Sequence, residues 1–112
     1  WASWCAPCQA EAPNLVNAAN DLKTAEVTFR GVDVREGSKA NGLAFERAHS
    51  VPYQSFFDPD SQITARIAKL APTGIPTTIL LDKRGRIAVR FPRPIAYSEL
   101  VRAINNIAGE TS

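Results

Sequence analysis

Apolar positions recur at helical spacing soon after the start of the chain, where Ala12, Leu15, Val16, Ala19 and Leu22 predict a helix from about Pro7 or Cys8 to Lys23. Pro13 removes one ladder bond, and because the stripe continues beyond it the expectation is a kink rather than a stop. The run from Val27 to Val34 reads as a strand whose alternation changes phase around Gly31, which a buried parallel strand tolerates. Ser38 is placed to cap a second helix through about His49, with Leu43 and Phe45 as its bulky apolar residues and Val51-Pro52 ending it. Asp58-Pro59-Asp60-Ser61 is a turn cluster, and Ile63, Ile67 and Leu70 suggest a short helix after it. Thr77 to Leu81 and Arg86 to Phe91 flank Asp82-Lys83-Arg84-Gly85 and predict an antiparallel hairpin, with glycine at the turn position needing positive φ. Pro92 and Pro94 end the second run, Ser98 is the expected cap of a last helix, and Leu100, Val101, Ile104 and Ile107 give that helix one apolar face.

At 112 residues this is one domain with a single core, and 45% hydrophobic with 21% charged residues is a globular composition rather than a disordered one. No aliphatic run, Ile79-Leu80-Leu81 among them, comes near the ~20 residues of a membrane span. Thirteen basic against eleven acidic residues leave a net +2 spread in singles and short pairs, which describes a solvated surface and excludes a nucleic-acid footprint. Trp1 stands where an initiator methionine would, inside an apolar run that feeds a turn, so a preceding segment is expected. A leader or anchor belongs in that segment, and its absence from the sequence says nothing about compartment.

The two cysteines, Cys5 and Cys8, lie two residues apart in Trp4-Cys5-Ala6-Pro7-Cys8. A helix beginning between them aims unpaired N–H groups and its positive dipole end at Cys5, favouring the thiolate. The pKa of such a cysteine falls to between ~3.5 and ~7.5, and Cys8, one turn inward, is placed to resolve a mixed disulfide. A structural role gains little, because a bridge between near neighbours closes almost no loop. A structural zinc shell needs four ligands, and the chain adds only His49 to the pair. Redox use is therefore the expected chemistry, and it requires no cofactor.

Cys5-Ala6-Pro7-Cys8, Pro13 five residues later, Thr73-Gly74-Ile75-Pro76-Thr77-Thr78 ahead of the hairpin and a terminal helix together resemble the thioredoxin superfamily. The opening Trp1-Ala2-Ser3-Trp4-Cys5, the segment from about Ser38 to Leu70 and the stretch Tyr53 to Asp60 are similar to exported TlpA/ResA-like thiol-disulfide oxidoreductases. The resemblance implies an α/β, thioredoxin-like three-layer fold with a mixed central sheet over residues 1–112, N-terminally incomplete because its leading strand is missing. Omitting a central strand leaves neighbours unpaired, so the 112-residue piece alone is expected to be unstable or to aggregate.

Pro76 matches the family's cis-proline, which would hold the Ile75 backbone as an edge for an extended substrate; an ordinary trans-proline beginning a strand is the alternative. Trp4, Ala6, Pro7, Ile75 and Pro76 are the substrate-binding candidates, with Trp4 as an apolar wall beside the sulfurs. Glu36 is the acid the resemblance brings near the buried thiol. Held in an apolar setting its pKa would rise and it would take the Cys8 proton, whereas a solvated loop glutamate would do neither. Asp33 is a weaker candidate for the same task. Tyr53, Phe56 and Phe57 either line a substrate groove or fill the core, Trp1 belongs to the core, and His49 has no catalytic role.

The family reading implies a monomeric reductase of disulfides in exported proteins such as apocytochrome c, re-reduced by a membrane thiol-disulfide donor. It would work extracytoplasmically, in the periplasm or at the outer face of the cell membrane, anchored through the missing N-terminal segment. Ala6-Pro7 offers the Cys5 thiolate no cationic partner, which favours the reducing direction. A disulfide-introducing oxidase and a non-catalytic thioredoxin-like binding module stay open. Phe91-Pro92-Arg93-Pro94 departs from the glycine-containing turn usual after the last strand.

Overall fold

A computed structural model describes residues 1–23, 25–66 and 74–109. Helix α1, Ala6–Asp21, starts one residue earlier than the apolar stripe implies, because Cys5 itself is its N-cap and Pro7 sits in its first turn. Pro13 is accommodated inside this single helix. Strand β1, Gly31–Val34, is shorter than the apolar run that predicted it. Helix α2, Lys39–Ala48, is capped by Ser38 as expected, the Asn41 N–H donating to the Ser38 hydroxyl at 3.3 Å.

Strand β2, Ser55–Asp58, is not anticipated by the sequence reading. It runs parallel to β1, with Gly31 opposite Ser55 and Val34 opposite Asp58. Helix α3, Gln62–Arg66, follows it and is seated by Asp58, whose carboxylate accepts the Ile63 and Thr64 N–H groups at 3.0 Å each. Ile67 and Leu70, the rest of that predicted stripe, lie outside the described residues, as does Thr73.

Strands β3, Thr78–Leu81, and β4, Ile87–Phe91, form the expected antiparallel hairpin, with a register shift at Leu80/Leu81 and Gly85 at φ 77°. Helix α4, Tyr97–Ala108, begins at an Ala96 cap that makes no side-chain hydrogen bond, so Ser98 is a first-turn residue and not the cap. That turn is tied down instead by the Arg93 guanidinium on the Glu99 carboxylate (3.0 and 2.6 Å) and by the Tyr97 hydroxyl donating to Asp21 at the end of α1 (2.6 Å).

Among the described residues the expected mixed central sheet is carried as two ladders, parallel β1–β2 and antiparallel β3–β4. Trp1 bonds the free edge of β1: its amino group donates to the Val32 carbonyl (3.0 Å) and its carbonyl accepts the Val34 N–H (2.8 Å). Alternation along a parallel strand leaves Gly31 and Asp33 facing β2 and Val32 and Val34 facing Trp1. The main core joins the hairpin to α1 and α4 through Ala18, Leu80, Ile95, Leu100 and Ile104. A second cluster, Ala2, Cys5 and Cys8 with Trp1 and Ile75 against it, sits at the N-terminal end of α1. Trp1 stacks on Phe45 of α2 at 4.7 Å, the core placement expected for it.

Candidate active site

Cys5 and Cys8 are joined as a disulfide, their Cα atoms 5.2 Å apart. Cys5 has extended backbone at the N-cap position, and its sulfur accepts the Cys8 N–H at 3.3 Å. This is the cap geometry that serves an anion best: in the reduced state the same N–H and the open end of α1 face a Cys5 thiolate. Both sulfur-bearing residues are buried, whereas Ala6 and Pro7 are exposed on the first helical turn.

The substrate-side candidates gather around this turn. Ile75 packs against the cysteine cluster, and the Ile75–Pro76 peptide bond is cis, which settles the alternative left open by sequence. Trp4 is 56% exposed, and its indole N–H donates to the Arg35 carbonyl at 2.9 Å. Arg35 holds that carbonyl in place from the left-handed region, at φ 50°.

Glu36 is buried, contrary to the loop-exposed alternative, but it does not have the raised pKa expected of it. Its Oε1 accepts the Ser3 N–H and its Oε2 accepts the Ser3 hydroxyl, both at 2.7 Å. Burial works against the charge, yet these bonds, with others from Asp33 and the Gly37 backbone, outweigh it and hold the carboxyl below its ordinary value. Asp33 takes the opposite state. Burial, the hydrogen bond it makes to Glu36 and the charge on Glu36 together push it up to about 7.

The acid on the Cys8 side is Glu11, which the sequence reading missed. It follows Cys8 by three residues on α1, is 4% exposed, and shares with Cys8 the wall of a cavity of about 30 Å³ that Trp1, Phe45, Tyr53 and Ser55 also line. Burial raises its pKa against the opposing effect of the Ile95 N–H, which donates to its Oε2 at 2.8 Å. The signal was present in the sequence: Cys8, Glu11, Ala12 and Leu15 form an i, i+3, i+4, i+7 stripe, so the glutamate belongs to the buried face.

Tyr53 is part of this cavity wall, its phenol pushed up to about 12 by burial, while Phe57 is half-buried and Phe56 is 53% exposed. His49 bonds the Phe45 carbonyl through Nδ1 at 3.0 Å, a helix-end contact away from the sulfurs in sequence and in bonding.

The AhpC/TSA family model matches residues 1–90. The chain belongs to that family. It is 30% identical, over its whole length, to 60% of the thiol:disulfide interchange protein HelX of Rhodobacter capsulatus. It is 33% identical, over 88% of its length, to 51% of a thiol:disulfide interchange protein DsbE homolog of Paracoccus denitrificans. The chain thus spans between half and two thirds of these curated relatives. The crystal structure of a secreted thiol-disulfide isomerase from Corynebacterium glutamicum superposes with a TM-score of 0.83 at 29% identity, covering 98% of this chain and 68% of that one. The fold is thioredoxin-like, as the resemblance implied.

Proposed function

We propose that this protein is a thiol-disulfide oxidoreductase that reduces disulfides of exported proteins through Cys5 and Cys8. The observation that carries the reading is the Cys5–Cys8 pair at the start of α1, with Cys5 capping the helix and Glu11 sharing a cavity with Cys8. In the reduced protein the Cys5 thiolate attacks one sulfur of a substrate disulfide, forming a Cys5–substrate mixed disulfide and releasing the other sulfur as a thiolate. Glu11, its pKa raised by burial, takes the proton of the Cys8 thiol. The Cys8 thiolate then attacks Cys5, the second substrate sulfur leaves, and the Cys5–Cys8 bond closes. Two electrons have passed to the substrate; of its two thiolates one takes the Cys8 proton back from Glu11 and the other is protonated by water, and a donor dithiol must restore the electrons to the Cys5–Cys8 pair.

Trp4 and Ile75 supply apolar surface beside the mixed disulfide, and the backbone at Ile75 offers an edge to an extended peptide. The reducing direction follows from Ala6-Pro7, which places no cation or histidine beside Cys5 to stabilise the reduced form further. Apocytochrome c is the proposed type of substrate, a membrane thiol-disulfide protein the proposed donor, and the outer side of the cell membrane the proposed place of work. Relatives called thiol:disulfide interchange proteins and a secreted neighbour support this setting. Among the described residues no helix is long and apolar enough to cross a membrane.

Reduction of insulin disulfides tests the reading. Cys5→Ser abolishes turnover, and Cys8→Ser traps mixed disulfides that run as higher-mass species without reductant. Retained turnover in Cys5→Ser refutes the mechanism.

A further inference from the structure

Three of the first four residues of the chain are gripped by one short segment. Trp1 bonds Val32 and Val34, Ser3 bonds Glu36 twice, and Trp4 bonds Arg35, so residues 32–36 hold the stretch that leads directly into Cys5. Ser3 is the middle of this grip, and it passes the restraint on: its carbonyl accepts the Gln9 side chain of α1 at 2.8 Å. Glu36 can hold both Ser3 donors because its carboxylate is charged, and Asp33 is the neighbour whose proton makes that charge tolerable.

The Asp33–Glu36 pair is built into the fold. Asp33 is 3% exposed, and α2 approaches it at Gly42, where an added Cβ would run into Asp33 Oδ2 and stand 3.7 Å from Glu36 Oε1. Asp33 Oδ1 is buried without a hydrogen-bond partner among the described residues, and Asp33 lines a second cavity of about 30 Å³ with Lys39, Gly42, Glu46 and Ser55. We propose that Asp33 is a positioning residue for the redox turn: its protonated carboxyl bonds Glu36, Glu36 holds Ser3, and the hold slackens when Asp33 loses its proton.

Two carboxylates in this enclosed site repel each other, and the hydrogen that Asp33 shares with Glu36 is gone. The charged groups facing Asp33 from the elements packed on it are Glu36 from its own loop and Glu46 and Lys39 from α2; β2 contributes only the uncharged Ser55 and Phe57 at the cavity. The inference adds a second acid site to the proposed exchange reaction, separate from Glu11, and rests on that reading only for its effect on rate.

The backbone amide resonance of Ser3, followed by NMR in the oxidised protein where neither cysteine titrates, tests the hold directly. In the wild type it should lie downfield at pH 5.5 and move upfield with a midpoint near 7. Asp33→Asn keeps a hydrogen-bond donor with no proton to lose and should remove the inflection. Glu36→Gln should shift the midpoint towards acid, because the charge that raises Asp33 is gone. A flat wild-type profile from pH 5.5 to 8.5 overturns the proposal. An inflection that survives in Asp33→Asn also overturns it, by assigning the change to another group such as Glu46. In the same samples the rate of disulfide reduction by dithiothreitol, corrected for its thiolate fraction, should fall several-fold from pH 6 to 8 in the wild type and stay level in Asp33→Asn. A flat Ser3 profile in a protein that still exchanges disulfides sinks the positioning role and leaves the Cys5–Cys8 reaction standing.

Discussion

Glu11 and Glu36 flank the same pair of cysteines, one on the Cys8 side along α1 and the other behind the turn that precedes Cys5. Both are buried to a similar depth, at 4% and 6% exposure, and yet their carboxyls are pushed in opposite directions. Glu11 receives one backbone N–H, from Ile95, and burial prevails. Glu36 receives the Ser3 amide and the Ser3 hydroxyl, with further hydrogen bonds from Asp33 and the Gly37 backbone, and the donors prevail. Burial alone therefore does not decide which way a buried carboxyl shifts; the number of donors that meet its charge does.

The largest effect that sharpens this contrast is on rate. Glu11→Gln should slow resolution of the mixed disulfide by about 10²-fold, the lower end of general acid–base contributions. Alkylation of Cys5 should change little. Rapid-quench trapping of the intermediate measures the step, and an unaltered resolution rate removes Glu11 from proton transfer.

Next comes the anchor. Ser3→Ala deletes the hydroxyl that meets the Glu36 carboxylate and should destabilise the protein by about 1.5–3 kcal/mol, the usual worth of a hydrogen bond to a charged group. Urea unfolding at neutral pH reports it; a midpoint equal to wild type shows that Glu36 needs no such donor.

The pH dependence of stability separates the two acids by sign. Glu36 has a lowered pKa in the folded state, so its contribution is present above the ordinary glutamate value of 4.5 and is lost as pH falls through its native value. Glu11 and Asp33 have raised pKa values, so the folded state binds more protons than the unfolded one. Their contribution is complete below 4.5 and 3.8 respectively and declines as pH rises, for Asp33 until about 7. Asp33→Asn should flatten the unfolding midpoint between pH 4 and 7, and an unchanged slope in that window contradicts the assignment.

The smallest effect belongs to Trp4. Trp4→Phe keeps the apolar face but loses the bond to the Arg35 carbonyl, and should leave insulin reduction within a few-fold of wild type while raising KM more than it lowers kcat. A collapse of kcat would give the indole a role in chemistry rather than in binding.

Much of this arrangement was legible in the sequence, for identifiable reasons. The α1 and α4 stripes, the Ser38 cap and the Gly85 turn are local signals, and each is found where it was expected. Strand β2 escaped because Ser55–Asp58 is four residues long, carries Phe56 and Phe57 side by side, and owes its existence to a parallel partner more than twenty residues away. Ser98 was a plausible cap that lost to Arg93, bonded to Glu99 six residues on, and to Tyr97, whose partner Asp21 lies 76 residues away. Glu36 was singled out as a proton acceptor for Cys8, but its charge depends on Ser3, thirty-three residues away, and no local pattern reveals that pairing. Glu11 was overlooked by reading only apolar residues as the buried face, although its spacing from Cys8 placed it there.

Equilibration of the Cys5–Cys8 pair against a graded dithiothreitol redox buffer tests the central claim most directly. The account predicts one reversible two-electron transition, with about 30 mV per tenfold change in the equilibrium constant, lying nearer to about −270 mV than to about −120 mV. A pair that never opens and closes reversibly contradicts thiol-disulfide exchange, and a potential near the oxidising end contradicts the reductive direction.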